Sequence, residues 1–206
     1  MNFVPESTAL LGAYVAGATP FGYLAGRLRG IDIRDHGSGN IGATNVLRTL
    51  GKPIGITVLI LDLLKGLAPV LAAKYWSPDA LVHILAGIGT ILGHNFTFWL
   101  RFRGGKGIAT SAGVLAGLAW AAALAGVAVW LLLFFTSKYV SVASIGAALA
   151  IPLVVVFRDS SNTPLVVFSI LVAVLAVVRH RSNIRRLLAG TENRFGSTPK
   201  RQEAPK

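Results

Sequence analysis

Six long apolar stretches dominate this chain: Ser7–Gly26, Ile54–Ala73, Ala80–Leu100, Ile108–Phe135, Ser141–Phe157 and Thr163–Val178. A helix crossing the hydrocarbon of a bilayer needs about 17–25 such residues. Water is absent there, so the backbone must satisfy its own polar groups, and helices do so. Only 14% of the 206 residues are charged, against roughly 25% in an average soluble domain. The abundance of Leu, Val, Ile and Ala excludes disorder. With no cysteine, disulfides, thiolate metal sites and a cysteine nucleophile are excluded together. A net charge of +12 is compatible with nucleic-acid binding. The basic residues, however, form short clusters between apolar runs, the pattern of an integral membrane protein that binds no nucleic acid. No Lys or Arg precedes the first stretch, and Pro20-Phe21-Gly22 follow where processing would need small residues, so it reads as a retained helix.

The fourth stretch, 28 residues from Ile108 to Phe135, is long for one helix and short for two. Basic residues stay on the cytoplasmic side of a membrane, and that decides the matter. A single span would put Arg179, Arg181, Arg185 and Arg186 outside. A hairpin turning near Leu118–Trp120 puts 17 basic residues inside, from Arg27, Arg29 and Arg34 through Lys138 to the eight between Arg179 and Lys206. Only Lys74 and Arg158 lie outside, with Lys65 within a helix. The expected fold is therefore all-α, with seven transmembrane helices, N-terminus out and C-terminus in. Residues 1–195 form one membrane domain, and 196–206 a disordered cytoplasmic tail.

This topology gathers three polar loops on the cytoplasmic face. The first runs from His36 to Arg48. Gly37, Gly39 and Gly42 permit close approach of a ligand to backbone N–H groups. Ser38, Asn40, Thr44 and Asn45 add neutral polar groups. Arg48, on one helical face with Asn45, adds a fork suited to phosphate. A glycine-rich turn with an exposed arginine is the alternative for this loop taken alone. The second loop, Gly93–Thr110, holds Gly104, Gly105 and Gly107 around Lys106, an anion cradle opening a helix. It is no Walker A loop, because G-x-x-x-x-G-K-[ST] is absent. Phe96, Phe98, Trp99 and Phe102 read as an interfacial belt, and Arg101 and Arg103 as positive-inside charges. In the third cluster, Ser141 and Ser144 open a helix, a weak signal alone. His180 and Asn183 share a helical face beyond the last span, and Glu192, the one acid in that basic segment, pairs with Arg or Lys. Asp62 and Lys65 lie three apart in the second span and can pair, for structure or for function.

Two or three phosphate-type sites at a membrane surface suggest a phosphorylated polar substrate meeting a lipid. There is no His-x-x-x-x-Asp pair, no G-x-S-x-G elbow, no H-E-x-x-H and no carboxylate cluster for a metal. With few strong bases, a substrate carrying its own leaving group becomes attractive. The three loops resemble the three motifs of the bacterial membrane acyl-phosphate:glycerol-3-phosphate acyltransferases. The strings are SGNIGATNVLRTLG (Ser38–Gly51), GHNFTFWLRFRGGKGIAT (Gly93–Thr110) and HRSNIRRLLAGTE (His180–Glu192). PFGYLAG (Pro20–Gly26), DLLKG (Asp62–Gly66) and KYVSVAS (Lys138–Ser144) are similar too. Ile41 and Thr97 depart from it, each standing where proline is common.

The resemblance implies a seven-helix fold in the bacterial cytoplasmic membrane. It implies transfer of a fatty acyl group from acyl phosphate to the 1-hydroxyl of glycerol 3-phosphate, without cofactor or metal. The products would be lysophosphatidic acid and phosphate. Ser38, Arg48, Lys106, Ser144, His180 and Asn183 would form the glycerol-3-phosphate and phosphate pocket. Gly104, Gly105 and Gly107 would shape it, Ser141 would contribute to it, and Asn40, Asn45 and Glu192 would hold the loops. A mixed anhydride asks mainly for positioning and charge stabilisation. The hydroxyl proton can go to His180 or to the substrate's own phosphate. The second is favoured, with His180 donating a hydrogen bond. A transporter of organic phosphates would instead place its site near the midplane, often between internal repeats, and neither is visible. A monomer suffices for this reading.

Overall fold

The described residues, 6–196, of a computed structural model form ten α-helices, eight of them from the apolar stretches. The tail expected at 196–206 therefore lies, apart from Gly196, outside the described residues. Helix α1 (Glu6–Gly17) and α2 (Phe21–Leu28) correct the expectation of one helix over Ser7–Gly26. Pro20 offers no N–H to the preceding turn and its ring opposes helix there. The carbonyls freed at the break find partners. Thr97 Oγ1 donates to Ala18 O at 2.5 Å, and Lys65 Nζ to Thr19 O at 2.7 Å. Thr97, where the resemblance led us to expect proline, thus pins its loop by a hydrogen bond.

The remaining helices are α3 (Ala43–Leu50), α4 (Lys52–Trp76), α5 (Ala80–Asn95), α6 (Ile108–Leu118), α7 (Trp120–Ser137), α8 (Val140–Asp159), α9 (Thr163–Arg179) and α10 (Arg181–Leu188). Side-chain caps start two of them: Asp79 accepts from Leu81 N at 2.8 Å and Asn162 from Leu165 N at 3.2 Å. The long fourth stretch does break where the charge count places its turn, at Ala119 (φ −148°). The two arms are unequal, 11 and 18 residues. Extended Ala119 ends α6 early, and α7 runs on until left-handed Lys138 stops it.

Contacts order the helices between two ends. At one, Lys74 Nζ donates to Gly117 O at 2.5 Å, and Leu118–Trp120 shares a small recess with Arg158 and Asp159. The loops 33–43 and 96–107, the α7–α8 corner and α10 lie at the other. Between them, Val70, Ile84, Ile91, Val114, Leu115, Val155 and Phe168 pack into a buried core. Leu11, Ile60, Leu71, Leu124, Leu132, Leu153 and Val174 point outward instead. So large an exposed apolar surface suits hydrocarbon rather than water. Among the described residues, four helical segments are long and apolar enough to cross a membrane: Lys52–Trp76, Ala80–Leu100, Trp120–Ser137 and Val140–Asp159. A fifth arises if α9 and α10, bent by 54°, are counted together.

Candidate functional site

A cavity of about 380 Å³ opens among the loops and runs inward between helices. Its outer part is lined by Ser38, Asn40, Asn45, Arg48, Lys106, Gly107, Ser141, Ser144, His180, Asn183 and Glu192. Eleven of the thirteen residues singled out from the sequence thus converge there. The inner part is apolar, walled by Leu115 of α6, Val127 and Trp130 of α7, Ile151 of α8 and Val172 and Ala173 of α9.

Each polar group is placed by its local fold. Asn45 is buried on α3 and holds the first loop: its Oδ1 accepts from Ser38 N at 2.8 Å, and its Nδ2 donates to His36 O at 3.0 Å and Ile33 O at 3.2 Å. Asn40 Oδ1 accepts from Gly42 N at 2.8 Å just before α3 begins. One turn after Asn45, Arg48 reaches Asn193 O at 3.3 Å. Lys106 precedes Gly107, which adopts φ 81° and opens α6, a conformation that any residue with a Cβ resists. Lys106 Nζ donates to Asn183 Oδ1 at 2.5 Å. Asn183 Nδ2 donates to Glu192 Oε1 at 2.7 Å, and Ser141 Oγ to the same oxygen at 2.9 Å. The partner expected for Glu192 is Arg186, whose Nε lies 2.7 Å from Oε2. Trp130 Nε1 donates to Ser144 Oγ at 3.2 Å.

The site is strongly basic, and burial sets its ionisation. Loss of water pushes Lys106 down to about 8; Glu192 opposes this, while Arg186, Arg48 and Arg179 add to it. Burial lowers Arg48 as well. For Glu192, burial acts upward, but hydrogen bonds from Asn183, Arg186 and Ser141 outweigh it and hold the carboxyl below its ordinary value.

Two expectations are corrected. Gly104 and Gly105 do not line the cavity; they anchor the loop that carries Lys106 to the end of α5. Their amides donate to Asn95 O and His94 O, each at 3.1 Å, and a Cβ on Gly105 would collide with the His94 ring. The second correction concerns His180, whose Nδ1 lies 2.8 Å from Ala176 O. A carbonyl only accepts, so the proton sits on Nδ1, and the neutral ring offers Nε2 as an acceptor rather than the expected donor. His180 lies just past the end of α9, where burial, with Lys106 and Arg179 nearby, pushes it down to about 4 against the upward effects of Ala176 O and Glu192. The ring stays neutral at pH 7.

One residue escaped the sequence reading. Arg179 was counted only as a positive-inside charge, yet it ties α9 to the glycine loop. Its Nη2 donates to Gly104 O at 2.9 Å and Gly105 O at 2.7 Å, and its Nε to Gly105 O at 3.1 Å. The guanidinium also lies over Phe96, 5.3 Å from the ring centroid. Backbone carbonyls leave no mark in a sequence, so only its place beside His180 hinted at this. The buried Asp62–Lys65 pair forms at 2.8 Å, with His94 Nδ1 3.7 Å from the same carboxylate oxygen. Asp62 and His94 border the cavity, whereas Lys65 turns to Thr19.

The profile of the family described as Glycerol-3-phosphate acyltransferase matches residues 7–190. The chain belongs to that family. A glycerol-3-phosphate acyltransferase of Geotalea daltonii is 46% identical over 190 residues, spanning 92% of this chain and 97% of its own. One from Geobacter metallireducens is 51% identical over the same length and shares. Among solved structures, PlsY (YgiH), an integral membrane glycerol 3-phosphate acyltransferase crystallised in a glycerol 3-phosphate form, superposes with a TM-score of 0.87 at 40% identity. That match covers 93% of this chain and 96% of PlsY. Its lysophosphatidic acid form gives 0.84. The acyltransferase family membership agrees with a cavity that is polar at its mouth and apolar within.

Proposed function

We propose that this acyltransferase moves a fatty acyl group from acyl phosphate to the 1-hydroxyl of sn-glycerol 3-phosphate, releasing lysophosphatidic acid and phosphate. The observation carrying this reading is the two-part cavity. A basic polar mouth suits two phosphate groups, and an apolar arm suits one acyl chain. A related protein 40% identical was crystallised in a glycerol 3-phosphate form and, separately, in a lysophosphatidic acid form, which supports the acceptor and the product.

Ser38, Arg48, Lys106 and Ser144 hold phosphate oxygens, with Asn40, Asn45 and the Gly104–Gly107 loop fixing their positions. Asn183, Ser141 and Glu192 keep Lys106 aimed into the mouth. His180 Nε2 accepts a hydrogen bond from the 1-hydroxyl and orients it. At about 4 its ring is too weak a base to carry the proton far. The hydroxyl oxygen attacks the acyl carbon as its proton swings from His180 Nε2 to a phosphate oxygen of the donor, the carbon–oxygen bond to phosphate breaks, and the phosphate leaves with that proton. No cofactor or metal enters this scheme.

The protein sits in the bacterial cytoplasmic membrane as seven spans, with N-terminus out, C-terminus in and the site at the cytoplasmic surface. The two helices too short to qualify by length, α1 and α6, are packed among longer ones. A monomer contains the whole site. The test is purified protein in detergent with acyl phosphate and glycerol 3-phosphate. Lysophosphatidic acid and phosphate should form in equal amounts, with acyl-CoA inert. Equal use of acyl-CoA, or no product, would overturn the reading.

A further inference from the structure

The residues that α8 gives to the apolar arm change size with depth. Near the polar mouth they are small, Ser144, Ala147 and Ala148, and α9 adds Ala173 and Ala176, while α7 faces them with Val127 and Trp130. Further in stand Ile151 and Leu115. Ala123 of α7 and Ser169 of α9 complete this inner end with smaller side chains, and beneath it the molecule is solid, with Val155 and Phe168 each no more than 1% exposed. Ile151 packs against this core from above, and across from it α7 presents Gly126, so close that a Cβ there would press on the Ile151 side chain. From Ser144 to Ile151 the arm descends seven residues of α8, roughly 10 Å at 1.5 Å per residue.

Resting on the acyl-transfer reading above, we infer that Ile151, with Leu115 behind it, is the floor of the acyl-chain arm and sets the longest chain the enzyme uses well. An arm whose α8 and α9 sides are small and whose inner end is rigid and apolar admits a chain until its terminal methyl meets the floor. Further methylenes must then bend, displace Ile151 or stay outside the arm. A closely packed interior yields little, so each excess methylene is expensive. In a hydrophobic pocket one methylene changes selectivity by roughly 10–200-fold.

The experiment is a series of saturated acyl phosphates of increasing length, assayed with glycerol 3-phosphate on detergent-purified protein, with the long-to-short rate ratio as readout. Ile151→Ala lowers the floor and should move the optimum to longer donors, raising the ratio about tenfold or more. Ala173→Leu fills the arm from α9 and should move the optimum the opposite way. The outward-facing Leu149→Ala, one helical position from the lining, should leave the profile in place. An Ile151→Ala that fails to purify leaves Ala173→Leu to decide. The ruler is overturned if folded variants keep the wild-type optimum, or if Leu149→Ala shifts it as far as they do. A wild-type protein inert with every acyl phosphate would instead overturn the acyl-transfer reading itself, so the two failures are distinguishable.

Discussion

Lys106 is the residue on which the site's charge turns. It is half-buried near Arg48, Arg179 and Arg186 with Glu192 as counter-charge, and its proton is held only up to about pH 8. The KM for glycerol 3-phosphate should therefore rise as pH passes about 8, and Lys106→Arg should push that limb to higher pH. Stability should move the other way. Between about 8 and the ordinary 10.5, the unfolded chain keeps a proton that the folded site has released, so the folded state gains stability as pH rises through that window. This is measurable as a small upward drift in Tm. Lys106→Ala or Arg48→Ala should each cost about 1.5–3 kcal/mol of a charge-assisted interaction, roughly 10- to 150-fold in kcat/KM, without unfolding the protein. His180 makes a sharper test. Since Nε2 accepts, His180→Gln, whose amide oxygen can also accept, should retain part of the activity, and His180→Ala should lose more through a weakened acceptor KM. Loss of about 10³-fold in kcat in both variants, with affinity unchanged, would make His180 the base.

At the level of elements, the site is a junction of four segments, and two residues bind it together. Arg179 fastens the glycine loop to the end of α9, and Glu192 fastens α10 to Ser141 of α8. Arg179→Ala should lower kcat/KM about tenfold or more, since several charge-assisted bonds go at once. Amide hydrogen exchange at Gly104–Lys106 should quicken with it. Arg179→Lys should rescue little, because a single ammonium cannot reproduce the guanidinium's fork. Much of this junction was legible in the sequence. Arg48, Lys106, Asn183 and Glu192 stand out because their chemistry is conspicuous in an otherwise apolar chain. What stayed hidden depends on the backbone. The partners of Arg179 are carbonyls, the tautomer of His180 is set by the carbonyl four residues earlier, and Gly104 and Gly105 serve by leaving room for His94 and Asn95. The split of the first stretch at Pro20 was in plain view. Apolar length outweighed it, because the carbonyls that compensate it bind Thr97 and Lys65, far away in sequence.

For the whole molecule, charge distribution and packing lead to one prediction. A reporter near Trp120 should register the outer side of the membrane and one near Ser137 the cytoplasm. A cytoplasmic Trp120 or an external C-terminus would refute the seven-span arrangement. The segment Thr191–Phe195 carries a further consequence. It returns from α10 across the mouth, offering Asn193 O to Arg48, donating from Phe195 N to Lys138 O at 2.8 Å and seating the Phe195 ring against Phe134. These residues are made after every other part of the site. A nascent chain that has reached Val178 holds α1 to α8 and almost all of α9, yet lacks His180, Asn183 and Glu192. At roughly 5–20 residues per second, the ribosome then needs on the order of a second or more to finish them. Until it does, the apolar arm has no completed polar mouth beside it, so the cavity's walls are made before the enzyme can be chemically competent.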